Sequence, residues 1–188
     1  MHPEDIALVK RLRTDGVLED VDAHLINGGD GKNVVVMCAD GHQSVDTISA
    51  HANFLRAPEQ GECCCHTLSF NGGALNLSPK FSPRSRLPVR KVLLSQIRQA
   101  MALKSATTIV LYVHAPCGAA KLRKLSFSQV LDHLFLAKTT VKQRFARRKN
   151  LRLICFVQID YSEEKKKRTY RISRKKWQDW KMTNASAA

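Results

Sequence analysis

Two short, continuous runs of apolar residues constrain the fold of this chain most strongly. Residues 34–38 and 107–113 are apolar and rich in β-branched side chains, and glycine precedes the first run. Runs of this length without alternating polar residues are typical of strands buried on both faces, as in parallel sheets covered by helices. They predict an α/β protein with these two strands inside a parallel sheet.

Helical and strand patterns alternate along the rest of the chain. Strands are expected at residues 34–38, 65–70, 107–113, 151–159 and 169–172. Helices are expected at residues 4–13 and 17–26, from residues 44, 88 and 126 onwards, and around Trp177 and Trp180. Right-handed crossovers then give a three-layer α/β domain with N-terminal helices. Its mainly parallel central sheet has four to five strands, with helices on both faces.

Length and cysteine usage bound the organisation of the chain. With 188 residues and 44% hydrophobic content, we expect a single domain over residues 1–188, with N-terminal helices within residues 1–30. No apolar run is long enough to predict a membrane span, and no secretory signal is apparent. Three consecutive cysteines argue against a disulfide scaffold, so we expect a cytoplasmic protein.

Basic residues are concentrated in the C-terminal part of the chain. The net charge is +15, and residues 138–188 carry 16 basic and 4 acidic side chains. Such a segment attracts polyanions, including nucleic acid. No recognised nucleic-acid-binding module accompanies it. We therefore favour a solvated basic face, with nucleic acid as the alternative partner.

Two short motifs follow two of the predicted strands. Cys38, Asp40 and His42 come after the first strand, and His114 and Cys117 after the third. The carboxyl ends of parallel strands share one edge of the sheet, where ligands bind. A lone cysteine or histidine is more often a core residue, but the two motifs together predict a metal site. Two thiolates, an imidazole and a carboxylate favour zinc, with Cys38, His114, Cys117 and optionally Asp40 as ligands.

These residues resemble the signature of the β-class carbonic anhydrases, Cys-x-Asp-x-Arg after one strand and His-x-x-Cys-Gly after another. The similarity extends over most of the chain, including the turn at residues 71–73. It implies a zinc lyase that reversibly hydrates carbon dioxide to bicarbonate by zinc-bound hydroxide. Cys38, His114 and Cys117 would be permanent ligands, and Asp40 would either bind zinc or accept a hydrogen bond from its water. A homodimer or a dimer of dimers is also implied.

The sequence departs from that family at two positions. His42 stands where the family has the arginine that draws the aspartate off the metal, and Phe70 stands where arginine is common. Histidine can replace arginine only when protonated, so His42 is either a conditional partner of Asp40 or a proton shuttle. The alternatives are a catalytically silent zinc protein whose basic surface binds an anionic partner, and the same fold hydrolysing carbonyl sulfide or carbon disulfide.

A further cluster, Cys63, Cys64, Cys65 and His66, resembles a second ligand set. In a strand, however, successive side chains point to opposite faces. We therefore interpret these residues as strand packing and not as a second metal site.

Overall fold

The computed structural model describes residues 1–21, 32–41, 44–49, 65–81, 88–161 and 167–185. The strands are β1 (Leu18–Asp20), β2 (Asn33–Cys38), β3 (Cys65–Phe70), β4 (Thr108–Ala115), β5 (Arg152–Asp160) and β6 (Lys167–Ile172). The helices are α1 (Pro3–Thr14), α2 (Val89–Lys104), α3 (Gly118–Lys121), α4 (Phe127–Arg144) and α5 (Arg174–Ala185), with a 3-10 helix over Gly73–Leu77. Residues 44–49 are also helical.

The described strands form one sheet in the order β1-β6-β5-β4-β2-β3. Strands β3, β2, β4 and β5 run parallel, whereas β6 and β1 are antiparallel to their neighbours. The expected α/β class and mainly parallel sheet are confirmed, but the sheet has six strands instead of four to five. The sixth strand comes from the N-terminal region.

That sixth strand corrects the prediction of a helix at residues 17–26. Gly16 has a φ of +65° after α1, and Leu18, Glu19 and Asp20 then pair with Ile172, Arg171 and Tyr170 of β6. The apolar spacing here fits a helix, but pairing with β6 satisfies the backbone groups of β1 and places Glu19 opposite Arg171. Residues 22–26 of the predicted helix lie outside the described residues.

The main hydrophobic core lies between one face of the sheet and helices α1, α2, α4 and α5. Alternate residues of the central strands point into it, among them Val34, Val36 and Leu111. Trp177 of α5 is 1% exposed in the same core. Most of the apolar area that leaves water on folding is therefore on this side of the sheet.

The opposite face carries a smaller apolar cluster built on Val35, Met37, Val110, Tyr112 and Phe156. The helical residues 44–49 lie on this side, because Thr47 contacts the side chain of Gln158, which shares its strand face with Phe156. Helical elements thus occupy both faces of the sheet, as the sequence predicts. Among the described helices, none is long and apolar enough to cross a membrane.

Helix α4 begins where the sequence places its N-cap. The Ser126 hydroxyl accepts a hydrogen bond from the Gln129 N–H, and the Gln129 side chain accepts one from the Ser126 N–H, which completes a capping box. Asp5 of α1 accepts a further hydrogen bond from the Phe127 N–H over 3.0 Å. This hydrogen bond joins the first turn of α1 to the first turn of α4. Both turns lie next to the carboxyl end of β4.

Candidate metal centre

The structure brings Cys38, His114 and Cys117 together at the carboxyl edge of the sheet. Each offers one ligand atom, and these atoms lie within 4.8 Å of one another. All three side chains are buried, with exposures of 8%, 5% and 6% respectively. Cys38 ends β2, and β4 is its hydrogen-bonded neighbour in the sheet. The predicted convergence of the two motifs is therefore present.

Strand β4 extends two residues beyond the end that the sequence predicts, and His114 lies within this extension. The strand ends at Ala115, so the position of His114 is set by the sheet and not by a loop. Cys117 follows as the residue immediately before the short helix α3. The rigid strand and the turn after it thus present two ligands from four residues of sequence.

The turn after β3 supports Cys38 from the other side. The backbone N–H of Gly72 donates a hydrogen bond to Sγ of Cys38 over 3.2 Å. Gly72 has a φ of +87° and Gly73 a φ of +51°, a backbone region that glycine adopts readily. A Cβ on Gly73 would lie 2.4 Å from the backbone nitrogen of Cys38, so only glycine allows the turn to approach the ligand this closely.

The amide of Asn76 holds this turn in place. Its Nδ2 donates hydrogen bonds to the carbonyl oxygens of Asn71 over 2.9 Å and Gly73 over 3.1 Å. Asn76 is 3% exposed, so both bonds are shielded from water. Cys38 is thus supported by a turn that is itself held by a buried side chain.

The imidazole of His114 tests whether this cluster fits a metal ion. Both ring nitrogens are buried, and among the described residues neither has a hydrogen-bond partner. A buried polar atom without a partner is costly, which makes such atoms rare in folded proteins. A metal ion between the two cysteines would use one of these nitrogens, so the cluster fits a bound metal.

The thiols of Cys38 and Cys117 have pKa values shifted in opposite directions. The hydrogen bond with the Cys117 thiol, helped by the nearby His114 ring and the Gly72 N–H, lowers the pKa of Cys38 to about 4 in spite of burial. The same shared hydrogen bond and burial raise the pKa of Cys117 above the usual range of a thiol. Cys38 is therefore the thiolate of the pair, the form that binds metals.

The donor set specifies the kind of metal. Two sulfur ligands and one imidazole suit zinc, and oxygen-seeking ions such as magnesium and calcium prefer other donors. A site with three protein ligands retains a position for water or substrate, as catalytic zinc sites do. The fourth predicted ligand, Asp40, is half-buried but does not belong to the group within 4.8 Å.

The remaining residues that the sequence analysis discussed as site candidates do not join the Cys38 group among the described residues. His42, Cys63 and Cys64 lie outside the described residues. Cys65 packs at the margin of the smaller apolar cluster, and within the described part of the chain the Cys38 group is the one cluster of three ligand side chains. Phe70 pairs with Cys38 in the sheet register, and its carbonyl accepts a hydrogen bond from the Ala39 N–H over 3.1 Å.

Two cavities adjoin the metal cluster. A groove of about 650 Å³ is bordered by His114 and Cys117 and by the beginnings of α1 and α4. Charged residues of both signs line the groove, Glu4 and Asp5 together with Lys121 and Lys124. A second cavity of only about 10 Å³ is lined by Cys38, His114 and Thr47 together with three other residues. The groove offers a small molecule access to the cluster.

The sequence interpretation missed Gly72, Thr47 and Gln158 as residues of the site. The sequence does contain a signal for Gln158, because it is the one polar residue in the apolar strand run 153–159. In the structure its side chain is only 2% exposed. A buried polar residue in a strand requires a partner. The contacts of Gly72 and Thr47 depend on tertiary structure and leave no comparable local pattern.

Solved structures that resemble this chain include the β-carbonic anhydrases CafD and CcaA and a carbonic anhydrase of Streptococcus mutans. CafD of the filamentous fungus Aspergillus fumigatus is 12% identical with a TM-score of 0.44, over 83% of this chain and 99% of that chain. The Streptococcus mutans enzyme is 12% identical with a TM-score of 0.40, over 92% and 99%. CcaA is 10% identical with a TM-score of 0.35, over 90% of each chain.

The resemblance predicted from the two motifs is thus found again among solved structures. No protein-family model matches the sequence, and no curated protein matches it.

Proposed function

We propose that this chain is a zinc-dependent lyase that reversibly hydrates carbon dioxide to bicarbonate. The observation that carries the proposal is the buried group of Cys38, His114 and Cys117, with both nitrogens of His114 lacking a hydrogen-bond partner among the described residues. Three protein ligands at the edge of an open groove are the arrangement expected of a catalytic site and not of a closed structural one.

The residues of this chain would hold the metal and tune its charge. Cys38 and Cys117 would bind as thiolates and His114 as neutral imidazole. The Gly72 N–H, which donates a hydrogen bond to Sγ of Cys38, would stabilise the charge on that sulfur. Zinc, when bound, supplies a strong nucleophile at neutral pH by lowering the pKa of water. The groove beside His114 and Cys117 would admit carbon dioxide and release bicarbonate.

Metal content and stopped-flow carbon dioxide hydration test this proposal together. We expect about one zinc per chain and hydration activity that is lost with the metal. Cys38→Ser should lose both, whereas Cys65→Ser, a cysteine outside the cluster, should keep both. Zinc binding that is equal in the wild type and Cys38→Ser would overturn the assignment of the site. Activity on carbonyl sulfide or carbon disulfide but not carbon dioxide would redirect the substrate assignment.

Asp40 and His42 are proposed as catalytic residues of the same site. Asp40 lies two residues after the ligand Cys38 and is half-buried, which suits either a fourth ligand or an acceptor for water. A protonated His42 would favour the second role. His42→Arg carries a permanent charge, so we expect it to widen the pH range of activity towards high pH. An unchanged pH profile would remove His42 from the proposal.

We further propose a homodimer located in the cytoplasm. Cys38, Cys65, Cys117 and Cys155 are free thiols, and thiolate ligands persist best in a reducing compartment. Light scattering after size-exclusion chromatography should give twice the chain mass of 21.1 kDa. A monomer that retains full activity would contradict the dimer.

A second candidate function is binding of a polyanion such as nucleic acid. Residues 138–152 contain no acidic side chain, and Arg144, Arg147, Arg148 and Lys149 are exposed. Arg174 of α5 joins this surface through a hydrogen bond to Thr139 over 3.0 Å. Retention of short RNA that falls steeply with salt, and is lost when these four residues are changed to Gln, would support it. Hydration activity without RNA retention would exclude it.

A further inference from the structure

The basic residues at the end of α4 lie beside those at the start of α5. Nη1 of Arg174 donates a hydrogen bond to Oγ1 of Thr139 over 3.0 Å, and Nε1 of Trp177 donates one to Asp132 over 2.8 Å. The two helices therefore run antiparallel, so that the first turn of α5 lies next to the last turns of α4. We call the exposed basic residues of this region the α4–α5 surface: Lys142, Arg144, Arg147, Arg148, Lys149, Arg174 and Lys175.

The charge of the α4–α5 surface is not balanced by nearby acids. Residues 138–152 and 167–178 contain no aspartate or glutamate. Asp132, the one acid of α4, already accepts hydrogen bonds from Trp177 and Lys181. Among the described residues, no ion pair joins a member of this surface to a carboxylate. The positive potential of these side chains therefore extends into solvent and attracts an anionic partner.

The aromatic rings next to this surface are not available for stacking on a base. Phe145 is 5% exposed and Trp177 is 1% exposed. Trp180 stacks on Trp177 with ring centroids 5.6 Å apart, and the guanidinium of Arg11 lies 5.3 Å from the centroid of a Trp180 ring. In the part of the chain that the structure describes, none of the exposed large hydrophobic side chains is aromatic. The surface thus offers positive charge without a stacking platform.

We propose that the α4–α5 surface binds RNA in its double-stranded form, through the phosphates and without contacts to the bases. This inference rests on the second candidate function, polyanion binding, and names duplex RNA as the polyanion. Single strands gain affinity when their bases stack on aromatic side chains, and this surface provides none. A duplex carries about twice as many phosphate charges per unit length as one strand. Contacts to phosphates alone carry no sequence information, so the binding is independent of sequence.

A short RNA duplex and its two separated strands are the probes for this preference. Their affinities are measured by fluorescence anisotropy over a range of salt concentrations, with the full chain. The test variant removes four charges of the surface by combining Arg144→Gln, Arg147→Gln, Arg148→Gln and Lys149→Gln.

Helix α2 provides a matched control for the loss of charge. It packs against β2 and β3 and not against α4, and it also carries four exposed basic residues. The control variant combines Arg90→Gln, Lys91→Gln, Arg98→Gln and Lys104→Gln. The two variants have the same net charge, so a difference between them reports the location of the binding surface. Circular dichroism of each variant shows that it is folded.

The wild type and the α2 variant should bind the duplex more tightly than either strand. If four residues each contact one phosphate, the different salt slopes of duplexes and single strands give a preference of about sixfold at about 0.1 M salt. The four-residue variant of the α4–α5 surface should lose this binding, and its salt slope should be shallower by about 3 to 4. Combining Arg144→Lys, Arg147→Lys and Arg148→Lys keeps the charges and should keep most of the affinity.

The outcomes separate this inference from the candidate function beneath it. Single strands that bind as tightly as the duplex would show that the duplex assignment is wrong, while polyanion binding stands. Equal losses in the two four-residue variants would show that net charge, and not this surface, attracts RNA. If the wild type retains neither form of RNA, or retains only vesicles of anionic phospholipid, RNA binding itself is wrong and the inference falls with it.

Discussion

The backbone N–H of Gly72 donates a hydrogen bond to Sγ of Cys38, across 3.2 Å and between two elements that are 34 residues apart in sequence. The bond favours the thiolate form of Cys38 and fixes the direction of the sulfur. It exists because a glycine turn lies against the backbone of β2. The geometry of the proposed metal site therefore depends on residues that cannot themselves bind a metal.

The close approach at Gly73 makes substitution there costly. In Gly73→Ala the new Cβ would lie 2.4 Å from the Cys38 nitrogen and 2.5 Å from the Met37 carbonyl carbon, and the backbone would keep a positive φ. We expect a loss of several kcal/mol in the free energy of unfolding, measured by urea denaturation, and weaker metal binding.

Gly16→Ala is the matched control for that substitution. Gly16 also has a positive φ, but nothing lies within 4 Å of the position of its Cβ. It should therefore cost only about 1 kcal/mol and leave metal binding unchanged. Equal losses in the two variants would show that backbone conformation alone, and not the contact with β2, makes Gly73 necessary.

Metal binding should stabilise the folded protein. The ligand group forms only when β2, β4 and the start of α3 are assembled, so zinc binds the folded chain in preference to the unfolded one. At a free zinc concentration of 100 times Kd, the expected gain is about 2.7 kcal/mol. Thermal unfolding with zinc and with a chelator measures it, and Cys117→Ser should show no difference between the two conditions.

The pH dependence of stability should include a contribution from His133. Desolvation lowers the pKa of His133 in the folded protein, where Nδ1 lies 2.9 Å from Ser78 Oγ. As pH falls, the unfolded chain takes up the proton first, so the contribution is complete above about pH 6.5 and is lost below it.

His133→Gln measures that contribution directly. Its free energy of unfolding should fall less than that of the wild type between pH 7.5 and pH 5.5, when both are followed by urea denaturation at the same zinc concentration. Parallel pH profiles for the two proteins would show that His133 titrates alike in the folded and unfolded states.

Asp132 connects helix α4 to the buried tryptophan of α5. Its Oδ1 accepts a hydrogen bond from Trp177 Nε1 over 2.8 Å, and Lys181 forms an ion pair with it. Asp132→Leu leaves the indole N–H without its partner, so we expect a loss of about 1–3 kcal/mol. Lys181→Met removes an exposed ion pair and a cation–π contact in which Nζ lies 5.4 Å from the centroid of the Trp177 ring, and it should cost about 1 kcal/mol or less. Urea unfolding followed by tryptophan fluorescence distinguishes the two, and a larger effect of Lys181→Met would contradict this account.

The sequence by itself determined the class of the fold and the three residues of the proposed metal site. Continuous β-branched runs specify buried strands, and helical periodicity between them specifies crossovers, because both patterns are local consequences of side-chain burial. The ligands could be predicted from two motifs since parallel strands bring their carboxyl ends to one edge. The N-cap at Ser126 and strand β3 follow from equally local signals.

Tertiary structure alone decided the rest. Residues 18–20 satisfy helical spacing, yet pairing with β6 makes them a strand, because edge pairing supplies hydrogen bonds that no local pattern encodes. The contact of Gly72 with Cys38 and that of Thr47 with Gln158 each join residues more than thirty positions apart. Whether such groups meet depends on how the elements pack. The three proposed ligands could therefore be predicted from the sequence, whereas the residues that contact and support them could not.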